Sequence, residues 1–72
     1  MHPFQCRAAR GLIDWSQGWL AHAAGLSLST VVDFEQQRRK VSIESVGAMK
    51  AALESAGVEF SNGKRPGVRL KR

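Results

Sequence analysis

Residues 16–36, SQGWLAHAAGLSLSTVVDFEQ, predict two short helices separated by one tight turn. Ser16 is a typical N-cap, and the apolar side of the helix that follows it stops at Gly25, a residue that readily takes the positive φ of a helix C-terminus. Only Leu26 separates Gly25 from Ser27, the next candidate N-cap. Two helices joined this tightly cannot lie antiparallel, so we expect them to cross steeply.

Helical spacing continues on both sides of this pair. Pro3 is tolerated at the start of a helix, and apolar residues then recur at helical spacing up to an end near Asp14. A longer helix is predicted to begin after the N-cap Ser42 and to close at Gly57. The apolar sides of these two helices are expected to consist of Phe4, Ala8, Ala9, Leu12 and Ile13 in the first, and of Ile43, Val46, Met49, Ala52, Leu53 and Ala56 in the last.

After Gly57 the pattern changes to the alternation that is typical of β-strands. Residues 58–60 and 67–70 alternate, and Ser61-Asn62-Gly63 between them is a turn signal. An isolated two-stranded ribbon is barely stable in water, so we expect it to pack on the last helix or to pair with the ribbon of a second copy. The residues expected to form such a dimer contact are Val58, Phe60, Val68 and Leu70.

The length of the chain limits it to one small domain. At 72 residues we expect a single, mainly α domain, with residues 1–57 helical and residues 58–72 forming the β-ribbon and a basic arm. A chain of this size buries only about 60% of the surface that its unfolded form exposes. Its single cysteine excludes a disulfide framework, so oligomerisation is the expected further source of stability.

The charge of the chain indicates a polyanionic partner. Eleven Lys and Arg against six Asp and Glu give a net charge of +5, and the pI is near 10.4. In a chain that is hydrophobic enough to fold, this charge indicates nucleic acid as the first candidate partner and a membrane surface as the second. It is unevenly distributed: residues 1–36 carry two cations and three acids, whereas residues 37–72 carry nine cations and three acids.

The sequence offers little support for catalysis, metal binding or membrane insertion. His2 and Cys6 lie four residues apart, a spacing compatible with a metal, but two ligands do not make a site. We find no Ser/His/Asp or paired-carboxylate arrangement, and therefore expect no enzymatic activity and no cofactor. No apolar run has membrane-spanning length and residues 1–5 do not resemble a signal peptide, which favours a soluble, cytoplasmic chain.

The order of these elements is that of a helix-turn-helix unit inside a four-helix domain. The motifs that carry a family likeness are Arg7-Ala-Ala-Arg10, Trp15-Ser16-Gln17, Leu20-Ala21, Ala24-Gly25-Leu26-Ser27, Thr30-Val31, Asp33-Phe34-Glu35, Arg38-Arg39, the segment 56–60, Gly63 and Pro66-Gly-Val-Arg69. In this order they resemble the lambda repressor-like, or Xre-type, family of helix-turn-helix DNA-binding proteins over residues 3–72. The resemblance implies a four-helix lambda repressor-like fold with a short C-terminal β-hairpin.

The resemblance also implies a function. Such a chain would be a sequence-specific double-stranded DNA-binding transcriptional regulator, in the simplest case a repressor that binds a palindromic operator as a homodimer. An alternative is an antitoxin-type interaction module that masks a partner protein and regulates its own synthesis through the same motif. Trp19 and the ribbon are the features that could serve such a partner. Non-specific coating of DNA is a third possibility.

The family likeness assigns roles to individual residues. The second helix of the motif, Ser27 to Gln36, would lie in the major groove, and the base contacts expected on its exposed face are Leu28, Ser29, Val32, Asp33 and Gln36. Because this helix has no Lys or Arg, we expect the affinity to come from phosphate contacts by Ser16, Gln17, Ser27, Thr30, Gln37, Arg38, Arg39 and Lys40. Arg10 and Glu35 match a family pair that is buried between the first helix and the end of this helix.

Overall fold

Four helices followed by a two-stranded antiparallel hairpin form the fold of the computed structural model, which describes residues 1–71. This confirms the predicted mainly helical class and the C-terminal hairpin. Arg72, the last residue of the expected basic arm, lies outside the described residues. The elements are α1 Pro3–Ile13, α2 Gln17–Ala24, α3 Leu28–Glu35, α4 Ile43–Ser55, β1 Val58–Ser61 and β2 Gly67–Leu70.

Serine side chains cap the N-termini of the three later helices, at the positions that the sequence predicts. Each serine Oγ accepts a hydrogen bond from the backbone N–H three residues on, which satisfies a donor that the helix itself leaves without a partner. The pairs are Trp19 N to Ser16 Oγ at 3.0 Å, Thr30 N to Ser27 Oγ at 3.3 Å and Ser45 N to Ser42 Oγ at 3.2 Å.

The first three helices end in the same way, with one residue in the left-handed region and a hydrogen bond that spans five residues. The left-handed residues are Asp14 (φ 58°), Gly25 (φ 70°) and Gln37 (φ 55°). The spanning bonds run from Trp15 N to Arg10 O at 2.9 Å, from Leu26 N to Ala21 O at 2.8 Å and from Arg38 N to Asp33 O at 2.9 Å. This closure reverses the chain within a few residues and lets α1, α2 and α3 follow one another through short turns. The sequence also places the end of α1 near Asp14, but it predicts the left-handed residue only at Gly25, because Asp and Gln adopt this conformation at a cost that glycine avoids.

The core consists of side chains from all four helices, the loop before α4 and β1. Its buried apolar members are Cys6, Ala9, Leu20, Ala21, Val31, Val41, Met49, Leu53 and Val58.

Within the described residues, none of the helices combines the length and the apolar character needed to cross a lipid bilayer.

The apolar face expected for α1 is partly wrong. Phe4 is 47% exposed, Leu12 is 40% exposed and Ala8 is also exposed, while α1 buries Gln5, Cys6 and Ala9. The apolar periodicity predicts a stripe that lies about one residue away, around the helix, from the stripe that is buried. It misses the buried stripe because this includes a glutamine, whose polar atoms form hydrogen bonds inside the protein. Ile43 at the start of α4 is likewise 86% exposed rather than part of the apolar side.

The hairpin packs its apolar face against its own helices. In the register Val58↔Leu70 and Phe60↔Val68, all four expected dimer residues share one face. Val58 is only 2% exposed, and Phe60 and Val68 pack against the core; Lys50 of α4 places its Nζ 5.9 Å from the centre of the Phe60 ring. Val58 is therefore buried within the protomer, whereas Phe60 and Val68 are half-buried and Leu70 is 38% exposed, so the dimer contact expected of these residues stays a prediction.

Gln5 fastens the hairpin to α1. Its side chain is fully buried, its Oε1 accepts from His2 N at 2.8 Å, and its Nε2 donates to the carbonyls of Ser61 at 3.0 Å and Gly67 at 3.1 Å. Ser61 and Gly67 are the last cross-strand pair before the loop. One amide group therefore ties both strands to the first helix.

Gln5→Glu should destabilise the protein by about 2 kcal/mol or more, because it keeps the size of the side chain but replaces the amide that donates to both strand carbonyls. We expect amide hydrogen exchange in 58–61 and 67–70 to speed up in parallel, as measured by NMR alongside urea denaturation. Gln36→Glu, at an exposed position, is the matched control and should change the unfolding free energy by about 0.5 kcal/mol at most. Equal effects of the two substitutions would contradict the anchoring role.

Candidate nucleic-acid interface

One buried carboxylate joins the first three helices. The Glu35 side chain at the end of α3 has no solvent exposure and accepts four hydrogen bonds. Arg10 donates to it twice, from Nε at 2.7 Å and from Nη2 at 2.8 Å; Gln17 donates from Nε2 at 2.9 Å and Cys6 from Sγ at 3.1 Å. We refer to Cys6, Arg10, Gln17 and Glu35 as the Glu35 cluster.

Two arginines extend the Glu35 cluster to the backbone. Arg10 Nη1 donates to the carbonyl of Trp15 at 3.0 Å, in the turn between α1 and α2, and Arg7 Nη1 donates to the carbonyl of Glu35. Among the described residues, no buried side-chain nitrogen or oxygen lacks a hydrogen-bond partner. The burial of this charge is therefore fully compensated, which is the condition under which a buried ion pair can be maintained.

The environment keeps the Arg10–Glu35 pair ionised. Burial raises the pKa of Glu35, but the hydrogen bonds from Arg10, Cys6 and Gln17 outweigh it and hold this pKa below its ordinary value. The hydrogen bond to Glu35 raises the pKa of Arg10. Burial, together with the hydrogen bond to Glu35, raises the pKa of the Cys6 thiol well above its ordinary value, so the thiol stays protonated and donates.

Gln17 at the first turn of α2 has a contact inside the protein. One N–H of its side-chain amide donates to Glu35. The amide nitrogen carries a second N–H, and the side chain is half-buried. Gln17 therefore helps to hold Glu35, and its expected phosphate contact stays a prediction.

The five expected base-contacting residues lie together on one side of α3. Leu28 is 53% exposed, Ser29 and Gln36 are exposed, and Val32 and Asp33 are half-buried. On the other side of the helix, Val31 and Glu35 are buried. We refer to Leu28, Ser29, Val32, Asp33 and Gln36 as the α3 stripe; it presents two methyl-bearing side chains, a hydroxyl, a carboxylate and an amide.

Hydroxyl groups cluster where α3 begins. Ser27 Oγ lies 3.1 Å from Ser29 Oγ and 2.8 Å from Thr30 Oγ1, and all three belong to residues expected to contact DNA. Ser16 holds the equivalent capping position of α2 and is exposed. Both helix N-termini therefore offer polar groups at positive dipole ends, where an anion is favoured.

A cationic loop follows the α3 stripe. Arg38, Arg39 and Lys40 are exposed, and buried Val41 anchors the end of the loop in the core. The left-handed conformation of Gln37 turns the chain sharply after α3. As a result, these cations lie beside the helix end.

One cation of the loop returns to the helix. Arg39 Nε donates to Asp33 Oδ2 at 2.8 Å, and Arg39 Nη2 lies 3.5 Å from Thr30 Oγ1. Sequence reasoning missed this pair. The spacing of six residues matches no helical neighbour rule, and it becomes a contact only because the chain reverses at Gln37.

His2 and Cys6, whose spacing is compatible with a metal, have other partners. His2 stacks on Phe4 with ring centroids 5.3 Å apart, while buried Cys6 donates to Glu35. Within residues 1–71, no three His, Cys, Asp or Glu side chains come together in a way that could hold a metal ion.

Comparison with protein-family models and with curated proteins found no match for the chain.

Arg10→Ala should destabilise the protein by about 3–5 kcal/mol, because it leaves Glu35 as a buried charge without its cation. The matched control is Arg69→Ala, which removes an ion pair of the same Nε–Oε length, 2.7 Å, between side chains that are 80% and 38% exposed. It should cost less than about 1 kcal/mol. Thermal and urea denaturation measure both, and an unchanged melting temperature for Arg10→Ala would disprove the role of the pair.

The stability of the protein should fall in acid through Glu35. Because the folded-state pKa of Glu35 is depressed, its stabilising effect is complete above the usual glutamate value of about 4.3 and is lost as the pH falls through the lower folded value. We expect the unfolding free energy of Glu35→Gln to be lower at neutral pH and to depend less on pH below about 4.3 than that of the original chain. Parallel curves for the two proteins would show that other carboxylates cause the acid sensitivity.

Proposed function

We propose that this chain is a sequence-specific double-stranded DNA-binding regulator of the lambda repressor-like, helix-turn-helix type, with α3 as its recognition helix. The observation that carries the proposal is the position of the α3 stripe directly beside the cationic loop 38–40. A protein that reads a duplex needs an exposed helix face that reaches base edges and cations that hold the phosphates on either side. Here both belong to one continuous segment.

The dimensions of α3 support this proposal. An α-helix with its side chains is about 10–12 Å across and the major groove is about 12 Å wide, so α3, with eight residues and an exposed side, can enter the groove. Leu28 and Val32 offer methyl groups for contact with thymine, while Ser29 and Gln36 can both donate and accept hydrogen bonds. The residues that would face the bases thus combine apolar and polar recognition.

The Glu35 cluster supports the proposal through rigidity. The carboxylate that ends α3 is held by donors on α1 and α2, so the orientation of α3 is set before any ligand binds. A surface organised in advance loses less conformational freedom on binding. The buried pair therefore serves the presentation of the α3 stripe as well as the stability of the fold.

The distribution of charge supports phosphate binding outside α3. Residues 37–72 carry nine cations against three acids, and each phosphate that they neutralise releases counterions. Arg38 and Lys40 follow α3 directly and are exposed. Affinity would come from these residues and from the helix N-termini, and sequence preference from the α3 stripe.

We further propose that the regulator acts as a homodimer on a palindromic operator and represses by occupying it. Two half-sites about one helical turn apart would follow from the two-fold symmetry. Of the residues expected at the dimer contact, Val58 is buried within the protomer, Phe60 and Val68 are half-buried, and Leu70 is 38% exposed.

Selection from a random duplex pool should enrich a palindromic motif, with binding at least about a thousandfold tighter than to random duplex. Leu28→Ala should change the enriched motif, because it removes a methyl-bearing contact from the α3 stripe. Leu12→Ala is the matched control, since Leu12 on α1 is 40% exposed and lies off the stripe; its motif should be unchanged. Absence of enrichment, or the same change with both substitutions, would refute the proposal.

A second candidate is an interaction module of antitoxin type, and one observation favours it. Trp19 on α2 is 54% exposed, packs edge-on against Trp15 with ring centroids 6.3 Å apart, and leaves a large aromatic surface open. Exposed tryptophan is enriched where proteins bind proteins. Co-purification of a second small protein that is lost with Trp19→Ala would support this function.

A further inference from the structure

The proposed recognition helix has no cation of its own, although arginine makes the commonest specific contact with a base. The residue that supplies a guanidinium to this helix is Arg39, from the following loop. Its Nε is 2.8 Å from Asp33 Oδ2 and its Nη2 is 3.5 Å from Thr30 Oγ1. Asp33 and Thr30 lie one turn apart on α3, so the Arg39 side chain runs back along the helix beside the α3 stripe.

The backbone produces this arrangement. Gln37 adopts a φ of 55°, and the N–H of Arg38 donates to the carbonyl of Asp33 at 2.9 Å. The chain therefore reverses directly after the helix and starts back over its last turn. A residue two positions beyond the reversal is close enough for its side chain to reach Asp33.

We propose that Arg39 reads a guanine in each half-site and that Asp33 is the positioning residue that holds its guanidinium. This inference rests on the proposed function. Asp33 occupies Nε, and the two terminal nitrogens of Arg39 keep donors for guanine O6 and N7. The Arg39 side chain is 52% exposed and Asp33 is 21% exposed, so the carboxylate lies behind the group that it orients.

The pairing argues against two simpler roles. An arginine paired with a carboxylate suits a phosphate poorly, because the carboxylate repels the phosphate and cancels part of the attraction. Asp33 as a direct reader of cytosine N4, the role expected from the sequence, would have only Oδ1 for the base, because Oδ2 accepts from Arg39 and the side chain is only 21% exposed. A neutral base edge that presents two acceptors fits the Asp33–Arg39 pair better than either.

The test compares the base preferences in the duplexes that each protein selects from a random pool. The proteins are the original chain, Arg39→Ala, Arg39→Lys, Asp33→Ala, the double variant Asp33→Ala/Arg39→Ala and the control Arg38→Ala. We expect one guanine position to lose about tenfold to hundredfold preference in Arg39→Ala, which corresponds to one bidentate base contact. Arg39→Lys should not restore it, because an ammonium lacks the planar fork. Asp33→Ala should weaken preference at the same position, and the double variant should lose no more than Arg39→Ala alone.

Arg38→Ala should lower affinity for all duplexes by a similar factor and leave the selected motif unchanged, as expected for a phosphate contact. Because both side chains of the pair are solvent-accessible, we expect each variant to keep its melting temperature within a few degrees; circular dichroism checks this. If the original chain selects a motif and Arg39→Ala selects it unchanged, or if Asp33→Ala alters a different position, the inference fails while the proposed function stands. If the original chain selects no motif, both fail.

Discussion

The carboxylate of Glu35 is the constraint on which the arrangement of the first three helices depends. A carboxylate with no solvent exposure is stable only when hydrogen bonds from the protein replace those that it would form with water. Here Arg10, Gln17 and Cys6 donate these hydrogen bonds from two helices. Moving α3 relative to α1 or α2 would break several of these bonds at once. The cluster therefore limits the orientations available to α3, which is the helix that exposes the proposed DNA-binding stripe.

Ion pairing also changes how the charge of the molecule is presented. The acidic balance of residues 1–36 suggests a surface that would repel a polyanion. In the folded protein Glu35 is neutralised by Arg10 in the interior, and Asp33 is paired with Arg39 on α3. Two of the three acidic residues in 1–36 are thus paired with arginines. The cations that follow α3 therefore dominate the electrostatic potential beside this helix.

A small chain needs its hairpin as part of the core. The apolar faces of β1 and β2 cover α1 and α4, and Gln5 holds both strands through two hydrogen bonds to backbone carbonyls. The ribbon therefore adds the buried area that a chain of this length lacks. An interface to a second copy has to use surface that the hairpin leaves exposed.

The sequence by itself determined the structural features that depend on residues close to one another along the chain. The caps at Ser16, Ser27 and Ser42 and the turn at Gly25 are local signals, because their hydrogen bonds close within a few residues. The alternation of the hairpin is local as well, because successive side chains of a strand point to opposite faces. The pairing of Arg10 with Glu35 came from a family likeness, and the structure brings the two side chains together.

Only the tertiary structure decided which side of α1 is buried, what Gln5 contacts and that Arg39 returns to α3. Gln5 meets carbonyls 56 and 62 residues away, and Arg39 meets Asp33 because a residue other than glycine turns into the left-handed region. The spacing of apolar residues predicts which face of a helix is buried, but it gives no information about the partner to which a polar side chain binds.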